Sequence, residues 1–211
     1  MNDAVVVDQM RAFQGTFDFL NERFFDGKLP NVMLNFCRSI KKCYGFFTID
    51  KRWSQRDNPE ASTYEISLNP RTMRLLDAEH IVSTTLHEMV HLWQAEYGKP
   101  SRAGYHNREW ADEMERVGLM PSNTGQPGGK RTGQKVTHYP IPNGPFAQAF
   151  AAMPKELLIP WLCREVEGNG GAKRNANKVK YTCPSCGSNV WGKAGLLIVC
   201  GECEEMYIQN Q

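Results

Sequence analysis

Two histidines four residues apart with a glutamate beside the first, His87-Glu88-Met89-Val90-His91, are the residues of this chain whose types and spacing most directly suggest chemistry. On a helix, positions i and i+4 lie on one face, about one turn apart. Two imidazoles so placed can reach one metal ion, with Glu88 held near enough to take a proton from water on that ion. Zinc is the expected ion, because imidazole suits it and it keeps an open position without redox chemistry. The five residues alone could also be a chance pair on a solvated helix face, so their context decides.

A second constellation lies near the C-terminus. Cys183-Pro184-Ser185-Cys186 and Cys200-Gly201-Glu202-Cys203 are two C-x-x-C pairs separated by thirteen residues. Four thiolates at this spacing make a closed tetrahedral site, so this second zinc should be structural. A module of this size buries too little core to fold without the metal. Asn189–Trp191 and Leu196–Val199 are its expected strands.

The elements that must position the first site follow from periodicity. From Ala78 to Tyr97 there is no Pro or Gly, and Val82, Leu86, Val90, Trp93 and Tyr97 recur at spacings of four and three. This predicts a helix with one apolar stripe and with His87 and His91 at its margin. Asp77 is the expected N-cap, and Gly98 and Pro100 end the helix. A third ligand is needed, leaving the fourth position to water. Gln94 and Tyr97 stand where a metzincin would have Gly and His, which excludes that class. His106 opens a second helical pattern, Trp110, Met114, Val117, and a helical return brings it over the first pair; Glu109 and Glu113 are the carboxylate rivals.

These residues resemble the SprT-like zinc metallopeptidases, the family of bacterial SprT proteins and eukaryotic Spartan. The resemblance rests on His87–His91, on His106 with Glu109-Trp110, on Asn21–Pro30 (N-x-x-F-F-x-G-x-L-P), and on Glu65–Asn69 before the helix. It covers about residues 8–120, and a four-cysteine ribbon also occurs in such proteins. It implies that His87, His91 and His106 bind the catalytic zinc, that Glu88 is catalytic, and that the substrates are proteins bound or crosslinked to DNA. One departure is His106-Asn107, where the family usually has His-Gly.

The remaining chain sets bounds. At 211 residues, 41% hydrophobic and 23% charged, it fits one medium soluble domain and a small module. Ala4–Val7 is too short for the apolar core of a signal peptide, and no apolar run approaches a membrane span of about 20 residues. Seven cysteines, four of them in C-x-x-C pairs, favour metal binding in a reducing compartment over a disulfide framework. A cytoplasmic chain is expected, at the nucleoid in a bacterium or in the nucleus of a eukaryote. Cys37 and Cys43 could be a redox pair, but their place at strand candidates favours buried thiols, and Cys163 is read in the same way.

In chain order, Met10, Phe13, Phe17, Leu20 and Phe24 predict a helix ending at Gly27. Residues 32–37, 43–49 and 63–68 predict a three-strand meander, with 51–62 a polar loop. The fold class is therefore α+β, zincin-like helices packed on a small antiparallel sheet, followed by a linker region and the C-terminal zinc ribbon. The expected domains are 1–120 for the metallopeptidase, 121–180 for a basic Gly/Pro-rich extension with short helices, and 181–211 for the ribbon. The extension has too little apolar content to fold alone and could pack back, bringing His138 and Tyr139 towards the metal as oxyanion donors or as packing residues. Residues 1–120 and 183–211 each carry net −2, whereas 121–182 carry net +6. Lys173, Arg174, Lys178 and Lys180 are the candidate nucleic-acid contacts, the linker charges rather than the ribbon being expected to carry the affinity; the competing reading makes the ribbon the binding face, with Trp191 and Lys193 as a stacking surface. The expected activity is zinc-dependent peptide hydrolysis with a protein substrate. The alternative is a DNA- or protein-binding adaptor with a gated or vestigial core.

Overall fold

The computed structural model describes residues 4–37, 43–164 and 178–210, and the chain divides into two compact units, 1–164 and 165–211. The first unit begins with α1, Val5–Phe25, whose Phe13, Phe17, Leu20 and Phe24 are buried as their spacing requires. The helix stops where Asp26 and Gly27 turn left-handed (φ 54° and 68°). Asn21 then clamps the returning chain, its amide donating to the Leu29 carbonyl and its carbonyl accepting the Leu29 N–H, each at 3.1 Å. That clamp gives the Asn and Leu of N-x-x-F-F-x-G-x-L-P a physical role.

Three strands follow: β1, Met33–Phe36; β2, Gly45–Ser54; and β3, Ser62–Leu68. Their order is β1-β3-β2, with β3 central and its Ile66 and Leu68 fully buried. The sheet is mixed, which corrects the wholly antiparallel meander. β2 pairs with β3 antiparallel, but β1 runs parallel to β3. β1 and β2 lie two strand spacings apart, with room for one strand between them. β3 fills that gap, so Cys37 N–H and Gly45 both flank Leu68. β2 also runs to Ser54, into the expected loop, with a register shift between Thr48 and Trp53.

After the single turn α2, Pro70–Met73, comes α3, Ala78–Tyr97. It is capped by Asp77, whose Oδ1 accepts the His80 N–H at 2.8 Å, and ends at Gly98. It buries more than one stripe: Ile81, Leu86, Met89, Val90 and Leu92 all enter the core. Tyr97 does not; it is exposed, with its hydroxyl donating to the Lys28 carbonyl. α4, Arg108–Arg116, adds Trp110 and Met114.

The segment after Met120 belongs to the first unit, which extends to Arg164. β4, Leu119–Ser122, pairs antiparallel with β5, Thr137–Pro140. α5, Pro145–Ala151, sends Phe146 into the common core. A 3₁₀ turn, Lys155–Leu157, follows, and the Leu157 carbonyl accepts the Thr16 hydroxyl at 2.6 Å. Burying a side chain such as Phe146 stabilises by roughly 1.5–3 kcal/mol, which explains why a stretch unable to fold alone docks here.

The second unit is a three-stranded antiparallel sheet in the order β7-β6-β8: β6, Lys178–Thr182; β7, Asn189–Lys193; β8, Ile208–Gln209. Lys178 and Lys180, expected in a linker, lie in β6, whereas Leu196–Val199 form no strand beyond a bridge at Val199. Lys173 and Arg174 lie outside the described residues.

Candidate active site

His87 and His91 lie one turn apart on α3, and His106 lies just before α4. The last position is fixed by main chain. His106 N–H donates to the Gly133 carbonyl at 2.9 Å, and Gly133 N–H returns to the His106 carbonyl at 3.0 Å. The adjoining Asn107 is the N-cap of α4, its side chain accepting the Trp110 N–H at 3.0 Å. This is the work done by the residue that departs from His-Gly.

The three imidazoles offer ligand atoms that all lie within 4.8 Å of one another, so they can converge on one ion. His106 Nδ1 meets the Gly133 carbonyl at 3.1 Å and His87 Nδ1 meets His138 Nδ1 at 3.0 Å, leaving Nε2 of each as its ligand atom. Burial, reinforced by His138, His91 and His106, holds His87 well below its ordinary pKa; burial, then His106, lowers His91 to about 3; burial lowers His106. All three are therefore neutral at pH 7, the form that binds metal. Beneath them lies Trp110, fully buried, with its ring centroid 4.9, 5.2 and 4.3 Å from those of His87, His91 and His106. Its indole N–H has no hydrogen-bond partner, so the ring serves here by shape.

The carboxylate rivals are engaged elsewhere. Glu109 Oε2 accepts from Gln94 Nε2 and from Lys99 N–H, both at 2.7 Å. Glu113 forms a two-oxygen pair with Arg116, at 2.6 and 2.8 Å. Glu88, by contrast, is buried at the cleft with its carboxyl pushed up to about 8 by burial. The start of β2 passes over it: a Cβ on Gly45 would stand 3.3 Å from Glu88 Oε1 and 3.0 Å from the Ser67 carbonyl. A larger residue would press on that carbonyl and on the carboxyl, so glycine is the residue that fits without displacing them. Gly45 is a site residue that the motifs do not single out, although a glycine inside an aromatic strand pattern is a signal of close approach.

These groups open into a cleft of about 1080 Å³. One wall is β2, an edge strand of its sheet; the other is formed by Ser101–His106 and Lys135–His138. His138 reaches the site, but both of its ring nitrogens are engaged, with His87 and with the Ser83 hydroxyl at 3.0 Å. Tyr139 does not line the cleft.

A model of the SprT-like family matches residues 13–138, more than half of the chain, and the chain belongs to that family. Its first unit is thus a metallopeptidase-like domain. No curated protein matches the chain.

The second candidate metal centre is the ribbon. Cys183, Cys186, Cys200 and Cys203 offer sulfurs within 4.8 Å of one another. The two knuckles have the same form: Gly187 N–H donates to the Cys183 carbonyl and Glu204 N–H to the Cys200 carbonyl, with φ of 71° and 57°. Ser188 lowers the Cys186 thiol to about 6, while Cys186 pushes Cys203 up to about 12. Four such sulfurs ionise together only around a cation, and the set fits zinc. Among the described residues these are the two groups of three or more metal-ligating side chains, and no helix is long and apolar enough to cross a membrane.

Proposed function

We propose that this protein is a zinc-dependent endopeptidase acting on extended protein segments. The observation that carries the reading is the buried Glu88 between His87 and His91, with His106 opposite, in a cleft walled by an edge strand. Zinc, when bound, supplies Lewis acidity and lowers the pKa of its water towards about 7. His87, His91 and His106 hold the ion, Glu88 accepts the proton of the attacking water and hands it to the leaving amine, and the free edge of β2 aligns the substrate by strand addition. A non-catalytic adaptor gives no reason for a desolvated carboxylate at this place. The test is cleavage of an unfolded polypeptide by the zinc-loaded chain. Activity should vanish on chelation and return with zinc. His106→Ala should hold one zinc in place of two and stay inactive; chelator-insensitive cleavage would sink the proposal.

We further propose that the substrates are presented on DNA and that the ribbon binds single strands. The supporting observation is the β6–β7 register, which sets Lys178 opposite Lys193 and Lys180 opposite Trp191. Directly paired residues share a face, so three lysines surround an indole that is 62% exposed. The acidic knuckle residues Glu202, Glu204 and Glu205 lie outside these strands. Replacing Lys178 and Lys180 by Ala should reduce the salt slope of binding by about 0.7 for each phosphate no longer neutralised. Trp191→Ala should weaken binding by about 1–3 kcal/mol and leave the slope unchanged. Fluorescence anisotropy on one labelled single strand across a salt series measures both. Wild-type behaviour of both variants would reject the surface.

A further inference from the structure

We infer that His138 is the positioning residue of the histidine centre: a one-way chain of hydrogen bonds through it fixes the tautomer and ring orientation of His87. The chain starts in α3. Ser83, fully buried, donates its single hydroxyl proton to the His80 carbonyl at 3.1 Å. Its oxygen is then the acceptor for His138 Nε2–H, at 3.0 Å. A neutral imidazole with its proton on Nε2 presents a lone pair on Nδ1. That lone pair meets His87 Nδ1 at 3.0 Å and can only accept, so His87 carries its proton on Nδ1 and keeps Nε2 as the lone pair for the ion. The reverse order would put the His87 proton on Nε2 and remove it from the ligand set.

The device joins α3, in the middle of the domain, to the strand β5 that follows the metal helices. β5, which carries His138, is held by β4, where His138 stands opposite Pro121. The docked C-terminal segment thereby supplies the partner that a ligating imidazole ordinarily takes from a carboxylate or a carbonyl. His106 shows the ordinary arrangement, with the Gly133 carbonyl as its partner. With both nitrogens used, His138 in this geometry has no donor left for an oxyanion.

The inference rests on the metal centre and not on the reaction it performs, so the tests read metal. Zinc affinity is measured by chelator competition, and the cobalt(II)-substituted protein gives a spectrum sensitive to ligand geometry. His138→Gln can donate through Nε2 to Ser83 and accept through Oε1 from His87, so it should stay within about threefold of wild type. His138→Phe fills the space without an acceptor and should lose about 10–100-fold in affinity, with altered cobalt bands. Ser83→Ala leaves His138 in place but frees its tautomer, and should weaken affinity several-fold; it tests the chain even where the Phe variant fails to fold. Wild-type affinity and spectrum in either His138→Phe or Ser83→Ala would overturn the inference, as would a Gln variant no better than Phe. A variant that lowers kcat alone would make His138 an oxyanion donor and equally overturn it. Failure of the wild-type centre to bind metal would remove the site itself, whereas failure of peptide cleavage with metal bound would reject only the proposed activity.

Discussion

Glu88→Gln is expected to lower peptide cleavage by at least about 10²–10⁴-fold while both metal centres stay filled. Gln matches the shape of the buried side chain beneath Gly45 but cannot accept the proton, and His87, His91 and His106 are untouched. Turnover of an unfolded polypeptide, together with zinc content, checks this. Near-wild-type turnover in a pure sample would point to another base. The same substitution has a second signature in the metal-free protein. Burial raises the Glu88 carboxyl from 4.5 to about 8, so the folded state keeps a proton that the unfolded chain releases over that interval. Its stability contribution is complete below pH 4.5 and is lost as pH rises through 8. His91 and His138, lowered mainly by burial from 6.5 to about 3 and about 4, act in the opposite sense: their contribution is present above pH 6.5 and lost as pH falls through those values. Metal-free wild type should therefore be most stable between these limbs. Glu88→Gln should flatten the alkaline limb, gaining about 3–5 kcal/mol at pH 8 relative to pH 5. Thermal unfolding of the chelated proteins at the two pH values measures the difference; equal pH slopes would mean that Glu88 is not desolvated. A cation beside the carboxyl favours its ionised form, so zinc should abolish the alkaline loss.

What the sequence discloses about this site is what lies within one turn of helix or one knuckle. The α3 boundaries follow from Asp77 and Gly98, because capping is local. The two C-x-x-C knuckles close through bonds spanning four residues. The choice of His106 over Glu109 and Glu113 stays open in the sequence, because it depends on groups brought by the fold: Gln94 and Lys99 for one carboxylate, Arg116 for the other. The parallel β1–β3 pair is hidden for the same reason, since strand order is decided across the sheet. The end of β2 escapes notice because Lys51–Ser54 are exposed and lack an apolar alternation. β6 is different: Val179 and Tyr181 alternate with Lys178, Lys180 and Thr182, a period-two pattern masked by the polar composition around it. His138 is legible as a residue that could approach the metal. Its partner Ser83 is not, because a serine in a helix carries no sign of what it will meet.

Cys200→Ser is expected to unfold the ribbon and leave the first unit intact. Among the described residues of the ribbon, the buried side chains are Tyr181, Cys183 and Cys200, and two of those three are metal ligands. Tyr181 ties the sheet together, its hydroxyl donating to the Lys193 carbonyl and accepting from Leu196 N–H, but one aromatic side chain is no core. The folding free energy must come from the ion, on the order of 10–16 kcal/mol for a structural zinc site. Losing one thiolate from a closed four-sulfur set should therefore release the zinc and the amide protection of β6, β7 and β8 together. Residues 1–164 form their own compact unit, so its thermal transition and its histidine-bound zinc should remain. Trp191 fluorescence is a poor reporter, because the indole is already exposed; hydrogen exchange of the backbone amides in 178–210 is the direct measurement. The Ser variant should still cleave a free unfolded peptide while losing affinity for single-stranded DNA, since Lys178, Lys180, Trp191 and Lys193 hold one face only while the sheet exists. Retained protection in the variant, or in wild type stripped of metal, would show that the ribbon folds without its ion. Loss of the first unit's transition as well would show that the two units depend on each other for stability.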